Sequence, residues 1–123
     1  MAAGFDKNGI LPKFVESLGF GFEEIGSVTA LGGKGNSKPR LFRLEEDEAI
    51  INRMGLNGQN IWQIKYNIYH SCAKGFNIPI GINIANTHSP EIIGNEAIED
   101  FIISYKTLFN VGDYTVLNIS CPN

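Results

Sequence analysis

Ile78-Pro79-Ile80-Gly81-Ile82-Asn83-Ile84 is the stretch on which the fold turns. It is short, apolar and free of charge. An apolar run without polar alternation suits a strand covered on both faces, as in a parallel sheet. Helical patterns lie on either side. Before it, residues 58–70 carry Ile61, Ile64 and Ile68 on one face. After it, Asn95 is placed to cap a helix whose apolar face is Ile98, Phe101, Ile102, Tyr105 and Leu108, ending at residues 110–112. Residues 114–119 then read as another strand.

The same alternation extends toward the amino terminus. Leu11, Phe14, Val15 and Leu18 recur at helical spacing, and Gly19 is a stop signal. Residues 22–28 read as a strand, and residues 2–5 as a short strand running into a loop. Residues 31–40 hold three glycines and a proline, a loop composition. Residues 41–44 form a further small strand. Strand and helix thus alternate three times before a last strand. The expected class is α/β, the first half of an eight-stranded (β/α) barrel in the order (βα)3β; a small doubly wound sheet also fits. A complete barrel takes roughly 250 residues. Residues 1–123 are therefore expected to be a partial barrel, cut at the carboxyl end and at the amino end.

Composition narrows the function. Of 123 residues, 43% are hydrophobic and 19% charged, enough to build a core and too apolar for disorder. The net charge of -3 lacks the basic excess of a nucleic-acid binder. The cluster Lys34, Lys38, Arg40 and Arg43 is followed at once by Glu45, Glu46, Asp47 and Glu48. Two cysteines, Cys72 and Cys121, are too few for a disulfide framework and suit a reducing compartment. No run reaches the roughly 18 apolar residues of a membrane span. His70 and His88 lack the spacing of a metal site and read as surface residues, so no metal is expected.

Polar residues gather at the carboxyl ends of the expected strands, where a barrel carries its active site. Asp6 and Lys7 follow the first, and Ser27 and Thr29 end the second. Asn83 and Asn118 interrupt the next two, each between aliphatic neighbours, and Ser120, Cys121 and Asn123 lie beyond. A buried amide left unpaired costs roughly 1–3 kcal/mol. One such Asn is explained by a backbone partner nearby; two in matching settings point as much to a ligand rich in N–H and C=O groups. Alone, Lys7 reads as a solvated cation. The glycines of residues 31–40 read as a surface loop rather than a phosphate cradle, because no GxxxxGK[ST] pattern is present. Cys121, in a polar loop after a strand, is either a small packed hydrophobe or a base. Cys72 fits the packing role.

Taken in order, these segments resemble the dihydroorotate dehydrogenases. Ala2-Ala3-Gly4-Phe5-Asp6-Lys7-Asn8-Gly9 resembles the first motif of that family. Ile25-Gly26-Ser27-Val28-Thr29, Gly35-Asn36, Lys38-Pro39-Arg40-Leu41-Phe42-Arg43 and Ile51-Asn52-Arg53-Met54-Gly55-Leu56-Asn57 resemble its quinone-linked, class 2 branch. Gly81-Ile82-Asn83-Ile84 and Leu117-Asn118-Ile119-Ser120-Cys121-Pro122-Asn123 complete the set. The Ser-Cys-Pro-Asn end is similar to the soluble, class 1 branch; in class 2 the base is ordinarily Ser.

The resemblance implies an eight-stranded α/β barrel that binds FMN and oxidises dihydroorotate to orotate in de novo pyrimidine biosynthesis. It implies that Ala3, Gly4, Phe5, Asp6, Lys7, Ser27, Asn83 and Asn118 contact the flavin. Lys7, Asn52, Arg53, Met54, Gly55, Leu56, Asn118 and Asn123 would contact substrate, and Cys121 would be the base. Quinone is the expected final electron acceptor of the full-length enzyme, with membrane contact only through segments outside this chain. The expected location is peripheral, on the cytoplasmic face of a membrane, with the cytosol as second choice. Two alternatives stay open: another pyrimidine-directed flavin barrel, or a non-catalytic half-barrel that assembles with a second chain.

Overall fold

A computed structural model describes residues 1–71 and 75–121. In chain order the elements are α1 (Pro12–Ser17), β1 (Glu23–Val28), β2 (Leu41–Leu44), β3 (Ala49–Asn52), α2 (Ile61–Ser71), β4 (Ile80–Ile84), α3 (Asn95–Leu108) and β5 (Tyr114–Leu117). β1, β4 and β5 form a three-stranded sheet in that order, parallel throughout. α2 and α3 make the crossovers, so each parallel connection carries a helix that covers one face of the sheet.

The apolar stretch behaves as a buried strand. Every residue of β4 is buried, and Ile80, Ile82 and Ile84 join Ile25 and Val28 of β1 in the core. α2 lays Ile61, Ile64 and Ile68 on them, the stripe expected from spacing. Asn60 caps this helix, its side-chain oxygen accepting from the N–H groups of Trp62 and Gln63. Gly19 does stop α1: it follows the C-cap Leu18 with φ +83°.

Three expectations need correction. Residues 2–5 form turns, not a ladder strand. They still lie along β1: Gly4 N–H donates to Gly26 C=O, Gly26 N–H to Asp6 C=O, and Glu24 N–H to Met1 C=O. Gly4, at φ +101°, breaks the extended run. Second, Asn95 is the first helical residue of α3; Gly94 holds the cap position and no side chain caps the end.

Third, α3 buries only part of the face that counting apolar residues suggests: Leu108 is in the core and Phe101 packs against it. Its buried residues are Asp100, Ser104, Thr107 and Leu108, while Ile98 is 58% exposed. Asp100 fixes this rotation. Its buried carboxylate accepts from both the N–H and the Oγ of Thr87, each at 2.8 Å. Thr87 Oγ accepts in turn from Leu31 N–H. A buried charge must be bonded, so the polar side of the helix turns inward. Phe101, Ile102 and Tyr105 are left to line a shallow apolar groove with Thr115 and Leu117 of β5.

Between β1 and α2 the chain inserts the antiparallel hairpin β2–β3, with Leu41 opposite Asn52 and Leu44 opposite Ala49. Its two stems are tied to each other. Gly33 and Gly58 exchange backbone bonds, Asn36 N–H donates to Met54 C=O, and Arg53 N–H to Arg40 C=O. Parallel strands joined through helices make the chain the partial α/β barrel that the alternation implied.

Candidate active site

The face of the sheet opposite the isoleucine core carries polar side chains, with Val116 beside them. Strand alternation puts Glu24 of β1, Gly81 and Asn83 of β4, and Tyr114 of β5 on this side. The ladder between β1 and β4 shifts register between Gly26 and Val28, leaving Ser27 out of the pairing. Such a bulge re-aims a side chain. Ser27 Oγ donates to Asn83 Oδ1 at 2.5 Å and accepts from Asn118 Nδ2 at 2.9 Å. Asn83 Nδ2 donates to Glu24 Oε1 at 2.8 Å. One hydrogen-bonded chain therefore spans all three strands. Asn118 lies just past β5, where its backbone N–H still bonds Ile84 C=O.

Ser27, Asn83 and Asn118 line a cavity of about 450 Å³ at the carboxyl ends of the strands. The wall residues Ala3, Gly4 and Lys7, the segment residues Asn52, Met54, Gly55 and Leu56, and Cys121 also line it. Lys7 is half-buried. Burial pushes its ammonium pKa down, the nearby Cys121 opposes that shift, and the Arg40 guanidinium adds to it. Lys7 and Cys121, 114 positions apart in sequence, thus line one cavity.

Three named residues lie elsewhere. Phe5 is 59% exposed. Asp6 is buried and turned into its own loop, its carboxylate accepting from the N–H groups of Asn8, Ile10 and Leu11. This sets the turn that presents Lys7. Arg53 points away from the cavity, its guanidinium donating to Pro39 C=O. Asn123 lies outside the described residues, as does Cys72. The loop of residues 31–40 is not a free surface loop: Arg40 donates to the carbonyls of Lys34 and Asn36, and Asn36 bonds the Met54 segment. His70 and His88 are exposed as expected, and among the described residues no His, Cys, Asp and Glu group could hold a metal.

Sequence reading missed two contributors. Leu41 lines the cavity because the hairpin register sets it opposite Asn52. The acidic run at residues 45–48 between two short apolar pairs was the available sign of that hairpin. Glu24 carries the β1 end of the polar chain, and its sign was a carboxylate next to Ile25 in a strand.

Comparison with known proteins bears on this site. A family profile described as dihydroorotate dehydrogenase matches residues 1–123. The chain belongs to the dihydroorotate dehydrogenase family. A dihydroorotate dehydrogenase (quinone) of Haloarcula marismortui is 48% identical over 124 residues, covering all of this chain and 34% of the relative. One of Nostoc sp. is 43% identical over 123 residues, covering 32% of the relative. Among solved structures, ligand-free DHODH from Eimeria tenella superposes with TM-score 0.89 at 34% identity, and its complex with ferulenol with TM-score 0.86 at 35%. All of this chain is covered in both, against 34% and 33% of those chains. The chain thus spans about a third of the length of the family members it matches.

Proposed function

We propose that this chain supplies the amino-terminal part of the flavin and substrate site of a dihydroorotate dehydrogenase, with Cys121 as base and quinone as final electron acceptor. The observation that carries the reading is the single cavity that gathers Lys7, Ser27, Asn83, Asn118, Cys121 and the Asn52–Leu56 segment. The donor set fits FMN. The second N–H of Asn83 and that of Asn118 have no partner among the described residues. Ala3 and Gly4 leave their wall without bulk, open to a flat ring. FMN supplies, when bound, the hydride acceptor that no side chain provides.

The chain's own residues do the rest. The Lys7 ammonium opposes negative charge that develops in the cavity and pairs with a substrate carboxylate. Neutral amides fix orientation without adding charge. Met54 and Leu56 keep water off one wall. Cys121 Sγ takes the proton from the ring carbon next to the one that loses hydride, a step that needs a positioned base. The quinone assignment follows the names of the relatives and the hairpin residues they resemble. Membrane contact of the full-length enzyme is assigned to segments outside this chain; no helix among the described residues is long and apolar enough to cross a membrane.

The test uses the full-length protein. Anaerobic dihydroorotate should bleach its flavin absorption, and a soluble quinone should restore it. Lys7→Ala should weaken substrate binding and slow bleaching together. A protein that holds no FMN, or a flavin that dihydroorotate leaves oxidised, overturns the proposal and favours a non-catalytic module.

A further inference from the structure

We infer that Glu24 is a positioning residue for the flavin site: it sets the direction of the hydrogen-bonded chain Glu24–Asn83–Ser27–Asn118. This role rests on the flavin site proposed above.

A side-chain amide is nearly symmetric in shape, so an Asn between two hydroxyl or amide neighbours fits either way round. A carboxylate removes that freedom, because it only accepts. Glu24 Oε1 accepts from Asn83 Nδ2 at 2.8 Å, which turns Asn83 Oδ1 toward Ser27. The Ser27 hydroxyl donates to that oxygen, so its own oxygen is left to accept from Asn118 Nδ2. Asn118 Oδ1 then faces Ser120, whose N–H and Oγ approach at 3.3 and 3.4 Å. Each link is forced by the one before it. The order runs from Glu24 on β1, through Asn83 on the central strand β4, to the loop that carries Cys121.

The direction matters for what the cavity offers. As built, both amides spend their oxygens inside the protein and keep an N–H in hand. In the reversed chain both would offer oxygen instead. An acceptor-rich ring would then meet lone pairs where it now meets donors. Glu24 touches neither wall of the cavity, and it acts only through Asn83. Tyr114 shares its neighbourhood but not the chain. Burial, and then the charge of Glu24, raise the pKa of the Tyr114 phenol.

The experiment is a double-mutant cycle on the full-length flavoprotein, read by FMN affinity of the apoprotein, the visible circular dichroism of bound flavin, and the bleaching rate. Glu24→Met keeps the bulk and removes the acceptor; it should weaken FMN about tenfold, the scale of a hydrogen bond to a charged group, and alter the flavin dichroism. Glu24→Gln still offers an oxygen and should stay within about threefold of wild type. In an Asn83→Ala background, Glu24→Met should add less than about twofold, because its route is already cut. Tyr114→Phe should bind FMN as wild type does. Glu24→Met with wild-type affinity and dichroism, Glu24→Gln as impaired as Glu24→Met, or additive losses in the cycle would each overturn the role. If Glu24→Met does not fold, Glu24→Ala takes its place with the same expectations. A wild-type protein that neither holds FMN nor is bleached by dihydroorotate would overturn the site itself, and this role with it; that arm is read before any variant.

Discussion

Ile80, Ile82 and Ile84 leave β4 on one side, Gly81 and Asn83 on the other, and the two sides of this one strand do different work. The isoleucine side meets α2 and holds the sheet against its helices. The other side carries Asn83 into a polar chain and opens on the cavity. The contrast lies in what each side asks of a residue. The packed side needs volume and tolerates exchange among hydrophobes of similar size. The polar side needs particular donors and acceptors, and a change there leaves packing intact while altering chemistry. A substitution should therefore cost stability or function according to the parity of its position.

The strongest test of that division is Cys121. Cys121→Ala should leave FMN binding unchanged and slow flavin reduction by roughly 10²–10⁴-fold, the usual contribution of a positioned base. Cys121→Ser should be partly active with its pH–rate profile moved upward, because a serine hydroxyl is a far weaker acid than a thiol. Stopped-flow bleaching across pH reads both. Equal rates in all three proteins would mean that Cys121 only packs.

On the other side, Ile82→Ala should destabilise the protein by about 2–5 kcal/mol, as core truncations do. Flavin affinity per folded molecule should hardly move. Urea unfolding and FMN titration on the same preparation check this; a loss of affinity with an unchanged midpoint would break the division by side.

Glu23 sharpens it, as a charge on the packed side. It is fully buried, and neither carboxylate oxygen has a hydrogen-bond partner. Burial first, and then the Asp6 carboxylate, push its pKa from 4.5 up to about 7, against a smaller opposing pull from the amino terminus. The folded state therefore holds this proton more tightly than the unfolded chain does. Its contribution to stability is fully present below pH 4.5 and is lost as pH rises through about 7. The loss is at most about 3 kcal/mol. Thermal unfolding should show the melting temperature falling over that window, and Glu23→Gln should flatten the fall. A wild-type profile that is already flat would mean that Glu23 ionises without penalty.

The smallest effect concerns Gly81, which sits on the polar side for a reason of space. A Cβ there would collide with the Tyr114 ring. Gly81→Ala should cost about 1–3 kcal/mol by overpacking, and Tyr114→Ala should restore part of it. No recovery in the double variant would place the clash elsewhere.

Much of the scaffold was legible in the sequence. The unbroken apolar run at residues 78–84 and the Ile61, Ile64, Ile68 stripe report burial directly, and both are core. The stripe on α3 was right for Leu108 and Phe101 and misled for the rest, because apolar spacing does not show that the Asp100–Thr87 pair sets the rotation of the helix. That pairing joins residues 13 positions apart through a loop, which no periodicity encodes. The hairpin β2–β3 was half read, since two strands of four residues carry too little pattern. The cavity residues other than Leu41 were legible through the family motifs. Glu24 was not, because its role exists only once β1 and β4 are paired.

The Asp6 turn has a practical consequence for anyone who scans this protein by substitution. Asp6 sits between Phe5 and Lys7 in the first motif, and replacing it would free three backbone N–H groups and let the Lys7 loop relax. Activity would fall as though a ligand contact had been lost. A scan scored on turnover alone would thus file an architectural carboxylate among the binding residues. Only amide exchange at Asn8, Ile10 and Leu11 would tell the two apart.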